Sequence, residues 1–174
     1  MNFMLNNLSD DVRQLMVDEI QFDLDAGQLY LSDRLTPGGK SAYPKLLKEA
    51  AVKGDVRTFS QSLSGNFNAT YQRRKPKGGF TTVTMPITAA DTLAEGEFNR
   101  FYIRGVCRKA INRGVEVRVY RAKPVSNPRL ESERKISTIV NPENLLKDLR
   151  NNIGIDTALG IPPGPNSGLS VELM

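Results

Sequence analysis

Residues 89–122 read AADTLAEGEFNRFYIRGVCRKAINRGVEVRVYRA, and the change of period inside this stretch decides the fold class. From Ala89 to Arg113 the apolar residues Leu93, Phe98, Phe101, Tyr102, Val106, Ala110 and Ile111 recur at helical spacing, too widely for a narrow stripe, so the helix is predicted to be a central element. Unbroken, it is about 37 Å long. Thr88 and Asp91 have capping-box spacing at its start, Gly114 suits its end, and Gly96 and Gly105 weaken it. The period then falls to two: Val115, Val117 and Val119 alternate with Glu116, Arg118 and Tyr120, as in a half-buried strand. Upstream, FTTVTMPI (residues 80–87) also alternates, with Pro86 marking an edge or an end. Strand, helix, strand predicts a parallel β-α-β crossover, or a helical excursion within an antiparallel sheet.

Working outward, the N-terminal part reads as helical. Ser9 caps a helix from Asp10 with Val12, Leu15, Met16 and Ile20 inward, ending near Gly27. TPGGKSAYP (36–44) reads as a loop before a second helix with Leu46, Leu47, Ala50 and Ala51; a third, shorter one holds Val56, Phe59 and Leu63. SGNFNATYQRRKPKGG (64–79) has low apolar content and several breakers, and reads as an exposed loop or arm. Downstream, KPVSNPRLESERK is a polar excursion, ISTIV a returning strand, and Asn141-Pro142 opens a helix with Leu145, Leu146 and Leu149 inward. The C-terminal GIPPGPNSGLSVEL reads as an extended strap closing in a short strand at Leu169, Val171 and Leu173. The expectation is an α+β fold in a single domain, 1–174: a helical acidic part (1–65) packed on a small mixed sheet with one long central helix, a basic loop or arm (66–79), a strand-helix-strand core with its following helix (80–150), and a C-terminal strap (151–174).

Composition narrows the function. The 174 residues contain no histidine and a single cysteine, Cys107, which lies in the apolar pattern of the long helix and reads as a packed core residue. An internal disulfide is excluded, and so are histidine-based triads and imidazole metal sites. Glu95 and Glu97 point apart on a helix, Glu131 and Glu133 lie in a polar run beside Arg134, and Ser132 and Ser167 have no histidine to activate them. A nuclease-like acidic pattern in VEVRVYRAK fails where Arg118 stands in place of lysine. A non-catalytic protein without cofactor or metal is expected. No run approaches the ~20 apolar residues that span a bilayer, and no signal peptide is apparent at Met1, so the expectation is a cytoplasmic protein with no membrane partner.

Charge is the remaining clue. The net charge is +5, distributed very unevenly. Residues 1–35 carry seven acids against Arg13 and Arg34; residues 100–135 carry eleven Lys or Arg against three Glu. Such a dipolar chain suits a polyanion, or head-to-tail docking of acidic part on basic part between copies. Two clusters are candidate binding residues. Arg73, Arg74, Lys75 and Lys77 form the basic loop RRKPKGG, which is not a Walker loop. Arg100, Arg104 and Arg108 recur every four residues and form a ridge about 6 Å apart along the long helix, with Glu97 placed to pair with Arg100. Phosphates, acidic protein surfaces and plain solvent all fit both clusters.

RRKPKGGF, AEGEFNRFYIRGVCRKA and LGIPPGPNSGLSVEL together resemble stretches of a small family in phage and bacterial genomes associated with tailed-phage virion proteins of the head. The resemblance runs along most of the chain and implies a context, with no ligand or catalytic residue to carry over. It implies a structural or assembly subunit of a virion, a homo-oligomer that contacts its own copies or other virion proteins through the basic loop and extended ends. The alternative is a nucleic-acid-binding module that uses the loop and the arginine ridge.

Overall fold

A computed structural model describes residues 3–154 and 167–174. It is an α+β fold built around α4 (Ala89–Arg113). Against α4 lie α1 (Asp10–Asp25), α3 (Val56–Leu63) and α6 (Pro142–Asn151), with α2 (Pro37–Lys53) bridging α1 and α3. Each contributes one apolar stripe to a single cluster: Val12, Met16 and Ile20 from α1, Val56, Phe59 and Leu63 from α3, Leu145, Leu146 and Leu149 from α6. α4 meets them with Phe98, Phe101, Tyr102, Val106 and Cys107, all buried. Burying one large apolar side chain contributes about 1.5–3 kcal/mol, so this convergence on one helix is the main source of stability. Gly114 ends α4 in the left-handed conformation (φ 65°).

The strands differ from the expected crossover. β1 (Thr70–Arg74) and β2 (Phe80–Thr84) form an antiparallel hairpin of their own, while β3 (Val117–Arg121) lies between β4 (Ile139–Val140) and β5 (Leu169–Leu173) in a second antiparallel sheet. The strands before and after α4 therefore belong to different sheets, and neither sheet is mixed. Residues 70–74, expected as part of a loop, pair with 80–84 because the turn between them has hairpin chemistry, described below. β5 buries Leu169 and Val171 against the core as predicted, but Ser170 between them is buried too, and Glu172 faces Arg118 across the strand pair. The proline-rich part of the predicted strap, 155–166, lies outside the described residues.

Two local readings are corrected. TPGGKSAYP is not a loop: α2 begins at Pro37, with Thr36 Oγ1 accepting from the Gly39 amide at 2.9 Å. Pro37 occupies the first helical position, where the missing amide costs nothing, and Gly39 is required because a Cβ there would lie 2.4 Å from the Asn66 carbonyl oxygen. The Thr36 hydroxyl also donates to that carbonyl (3.2 Å). Thr36→Ala is expected to destabilise by about 1 kcal/mol, read in thermal unfolding as a fall in Tm of about 2–4 °C; an unchanged Tm would show that the cap is redundant. At α4, Thr88 makes no side-chain cap. Asp91 instead accepts from Ser60 Oγ at 2.5 Å, tying α4 to α3. The polar excursion also contains one short helix, α5 (Leu130–Lys135).

Candidate interaction surface

The two charged halves of the sequence meet inside the molecule. α1 lies along α4, and the acids of one face the cations of the other. Arg104 is fully buried: its Nε donates to Glu19 Oε2 (2.8 Å), Nη1 and Nη2 donate to the Asp23 carboxylate (2.6 and 2.8 Å), and Nη2 reaches the Glu19 carbonyl (3.3 Å). The guanidinium also stacks over Phe101, 4.9 Å from the ring centroid. Glu19 takes a second, bidentate partner in Arg150 of α6 (2.9 and 2.6 Å). Further along, Arg108 pairs with Asp18 (3.3 Å) and Lys109 with Asp11 (2.6 Å). Burial alone raises the Glu19 carboxyl, but the Arg150 hydrogen bonds and the Arg104 charge outweigh it, leaving Glu19 below the usual carboxylate range. The Lys109 and Ser9 hydrogen bonds hold Asp11 down at about 2.

The expected arginine ridge is thus largely internal. Arg100 is buried as well, donating to the carbonyls of Asn152 (2.8 Å) and Leu149 (3.4 Å) at the C-terminal end of α6, where a cation suits the helix dipole. It also makes the anticipated pair with Glu97, at 3.4 Å; burial pushes the Glu97 carboxyl up, and Arg100 offsets this in part. Arg108 is half-buried. Four-residue spacing alone does not say which face a ridge occupies. The missed signal was in the other helix: Asp11, Asp18, Glu19 and Asp23 supply a complementary set within the same chain. The β3 region behaves alike, with Arg118 on Glu172, Arg121 on Glu133 and Lys123 on Glu95.

The other four predicted residues stand apart. Arg73, Arg74, Lys75 and Lys77 are all exposed, and none makes an ion pair among the described residues. They occupy the tip of the β1–β2 hairpin, in which no side chain from Thr70 to Thr84 is buried. The turn is well specified. Gly78 N donates to Lys75 O (3.1 Å) and Lys75 N to Gly79 O (2.9 Å), Pro76 takes the first corner, and Gly78 and Gly79 have φ of 90° and 76°. This is a type I turn followed by a left-handed residue, the three-residue hairpin loop in which proline and glycine each fill the position their geometry suits.

The hairpin has two unlike faces. Tyr71 and Val83, directly opposite one another, are half-buried, and Arg34 stacks on Tyr71 at 4.3 Å from its centroid. Thr70, Gln72, Arg74, Phe80, Thr82 and Thr84 form the other face and are all exposed, Phe80 at 65%. Alternation places Arg73 on the Tyr71 face and Arg74 on the open one. The root is anchored: Asn68 bonds the carbonyls of Arg34 and Leu35, and Leu35 bridges Phe67. Four of the chain's net five positive charges stand on this arm, which has no acidic residue at all.

Among the described residues, no group of three or more Cys, Asp or Glu side chains is placed to hold a metal ion, and no helix is long and apolar enough to cross a membrane. Cys107 is buried, and desolvation raises its thiol far above the reactive range. Comparison with family models, with curated proteins and with solved structures finds no match for this chain.

Proposed function

We propose that this chain is a non-catalytic subunit of a macromolecular assembly, and that the β1–β2 arm is the part with which it holds its neighbour. One observation carries the reading: the body neutralises its own charge, while nearly all of the net charge is displayed on a projecting ribbon with no buried side chain. An isolated two-stranded ribbon is marginal in water, and a protein that spends fifteen residues on one (70–84) gains little for its own core. Several of the acids that catalysis could use are engaged: Glu19 with Arg104 and Arg150, Glu95 with Lys123, Glu133 with Arg121. The resemblance to tailed-phage virion proteins supplies the kind of assembly, a phage particle.

The test is sedimentation of a lysate in which the chain is expressed from its native locus. The wild type is expected in a heavy fraction, and a variant with Arg73, Arg74, Lys75 and Lys77 changed to alanine at the monomer position. A wild-type chain found at the monomer position overturns the proposal.

A further inference from the structure

We infer that the neighbour held by the arm is duplex nucleic acid, entered through a groove. The inference rests on reading the arm as the gripping element. A second copy of the chain is a poor complement. Two arms repel each other, and four of the six acids of α1, Asp11, Asp18, Glu19 and Asp23, are already paired with Lys109, Arg108, Arg104 and Arg150. The occupant must bring its own negative charge.

The placement of the cations narrows its shape. Arg73 and Arg74 leave opposite faces of the ribbon, while Lys75 and Lys77 sit in the turn, so positive charge surrounds the tip. A flat acidic protein surface engages one face and leaves the other cation unanswered. A groove has a wall on each side, and in a duplex both walls are lines of phosphates; the major groove, about 12 Å wide, admits a two-stranded ribbon. The arm's other features agree. The open face offers the hydroxyls of Thr70, Thr82 and Thr84 and the Gln72 amide, which donates to Thr82 Oγ1 at 2.8 Å, and such groups bond phosphate and sugar oxygens. Phe80, 65% exposed and opposite Arg74, supplies an apolar contact for bases or sugars. None of these residues points to one base sequence, so the binding is sequence-tolerant.

The test is fluorescence anisotropy of the full chain with a short labelled duplex of mixed sequence, across about 50 to 200 mM salt. Four phosphate contacts give a slope of log K against log salt of about −3 to −4, hence about a hundredfold weaker binding over that range. Changing Arg73, Arg74, Lys75 and Lys77 to alanine is expected to weaken binding by about a hundredfold at the low-salt end with no change in Tm, since no arm side chain is buried. A charge-matched control changes the exposed Lys45, Lys53, Arg113 and Lys147 and is expected to keep most of the affinity. Equal losses in the two variants would show that net charge alone is at work and overturn the inference. So would equal affinity for a single strand or for polyglutamate, and so would no wild-type binding at low salt. In each of those cases the assembly reading is judged separately, by its sedimentation test.

Discussion

Arg104→Ala is expected to cost about 3–5 kcal/mol of stability, a fall in Tm of roughly 6–20 °C for a chain of this size. The reason is what the substitution leaves behind. Glu19 and Asp23 are 1% and 2% exposed, and Arg104 answers both. Taking it away strands the Asp23 carboxylate and leaves Glu19 to Arg150 and the longer Arg108 contact. Changing Asp23 to alanine in the same chain removes one stranded charge, so the double variant is expected to regain part of the loss, a coupling that a double-mutant cycle reads directly. A single-variant loss under about 1 kcal/mol would place the network among interactions that contribute little. The pairing is also acid-sensitive. Glu19 and Asp11 titrate below their ordinary values in the folded chain, so the stability they add is present above the unfolded carboxylate range near pH 4 and is lost as pH falls through the folded values. Acid is therefore expected to loosen α1 from α4 first, seen as earlier amide exchange in α1 than in α3.

Gly105→Leu is the second large effect, expected to destabilise by about 2–3 kcal/mol. On an exposed helix the change would be favourable by nearly 1 kcal/mol, since glycine is a poor helix former, so even the sign is informative. Here α1 passes directly over Gly105: a Cβ would lie 3.0 Å from the Val12 carbonyl oxygen, 3.1 Å from Met16 Cγ and 3.3 Å from Met16 N. A leucine must push α1 outward, and α1 carries the acids that Arg104 holds one residue away. The predicted loss is thus coupled to the ion network, and Gly105→Leu combined with Arg104→Ala is expected to cost less than the two separately. An equal or raised Tm for Gly105→Leu, measured by thermal unfolding, would refute this close crossing.

These two neighbours also show what was legible in the sequence. The apolar period of 89–113 and the alternation after Gly114 located α4 and β3 with almost no displacement, because both patterns are local. Gly105 read as a weakness in the helix, since a residue's partner across a helix crossing leaves no trace in its own spacing. Arg104 read as part of an outward ridge for the same reason: it is the counter-charge from α1, over eighty residues away, that makes its burial tolerable. The start of α2 is not legible because Pro37, Gly38 and Gly39 act as breakers inside an element but not in its first turn, and because the helix continues through Pro44 in its interior. The exposure of the arm's cations is legible in the sequence, and the Pro-Lys-Gly-Gly turn carries the hairpin signal within a stretch that otherwise reads as a loop or arm.

The arm is mounted in a way that bears on pulling. One strand returns through Asn68 to the backbone of Arg34 and Leu35, and the other runs from Thr84 through only four residues into Ala89, the first residue of α4. Tension applied at the tip is therefore delivered straight to the most embedded helix of the molecule, which α1, α3 and α6 hold in place at once.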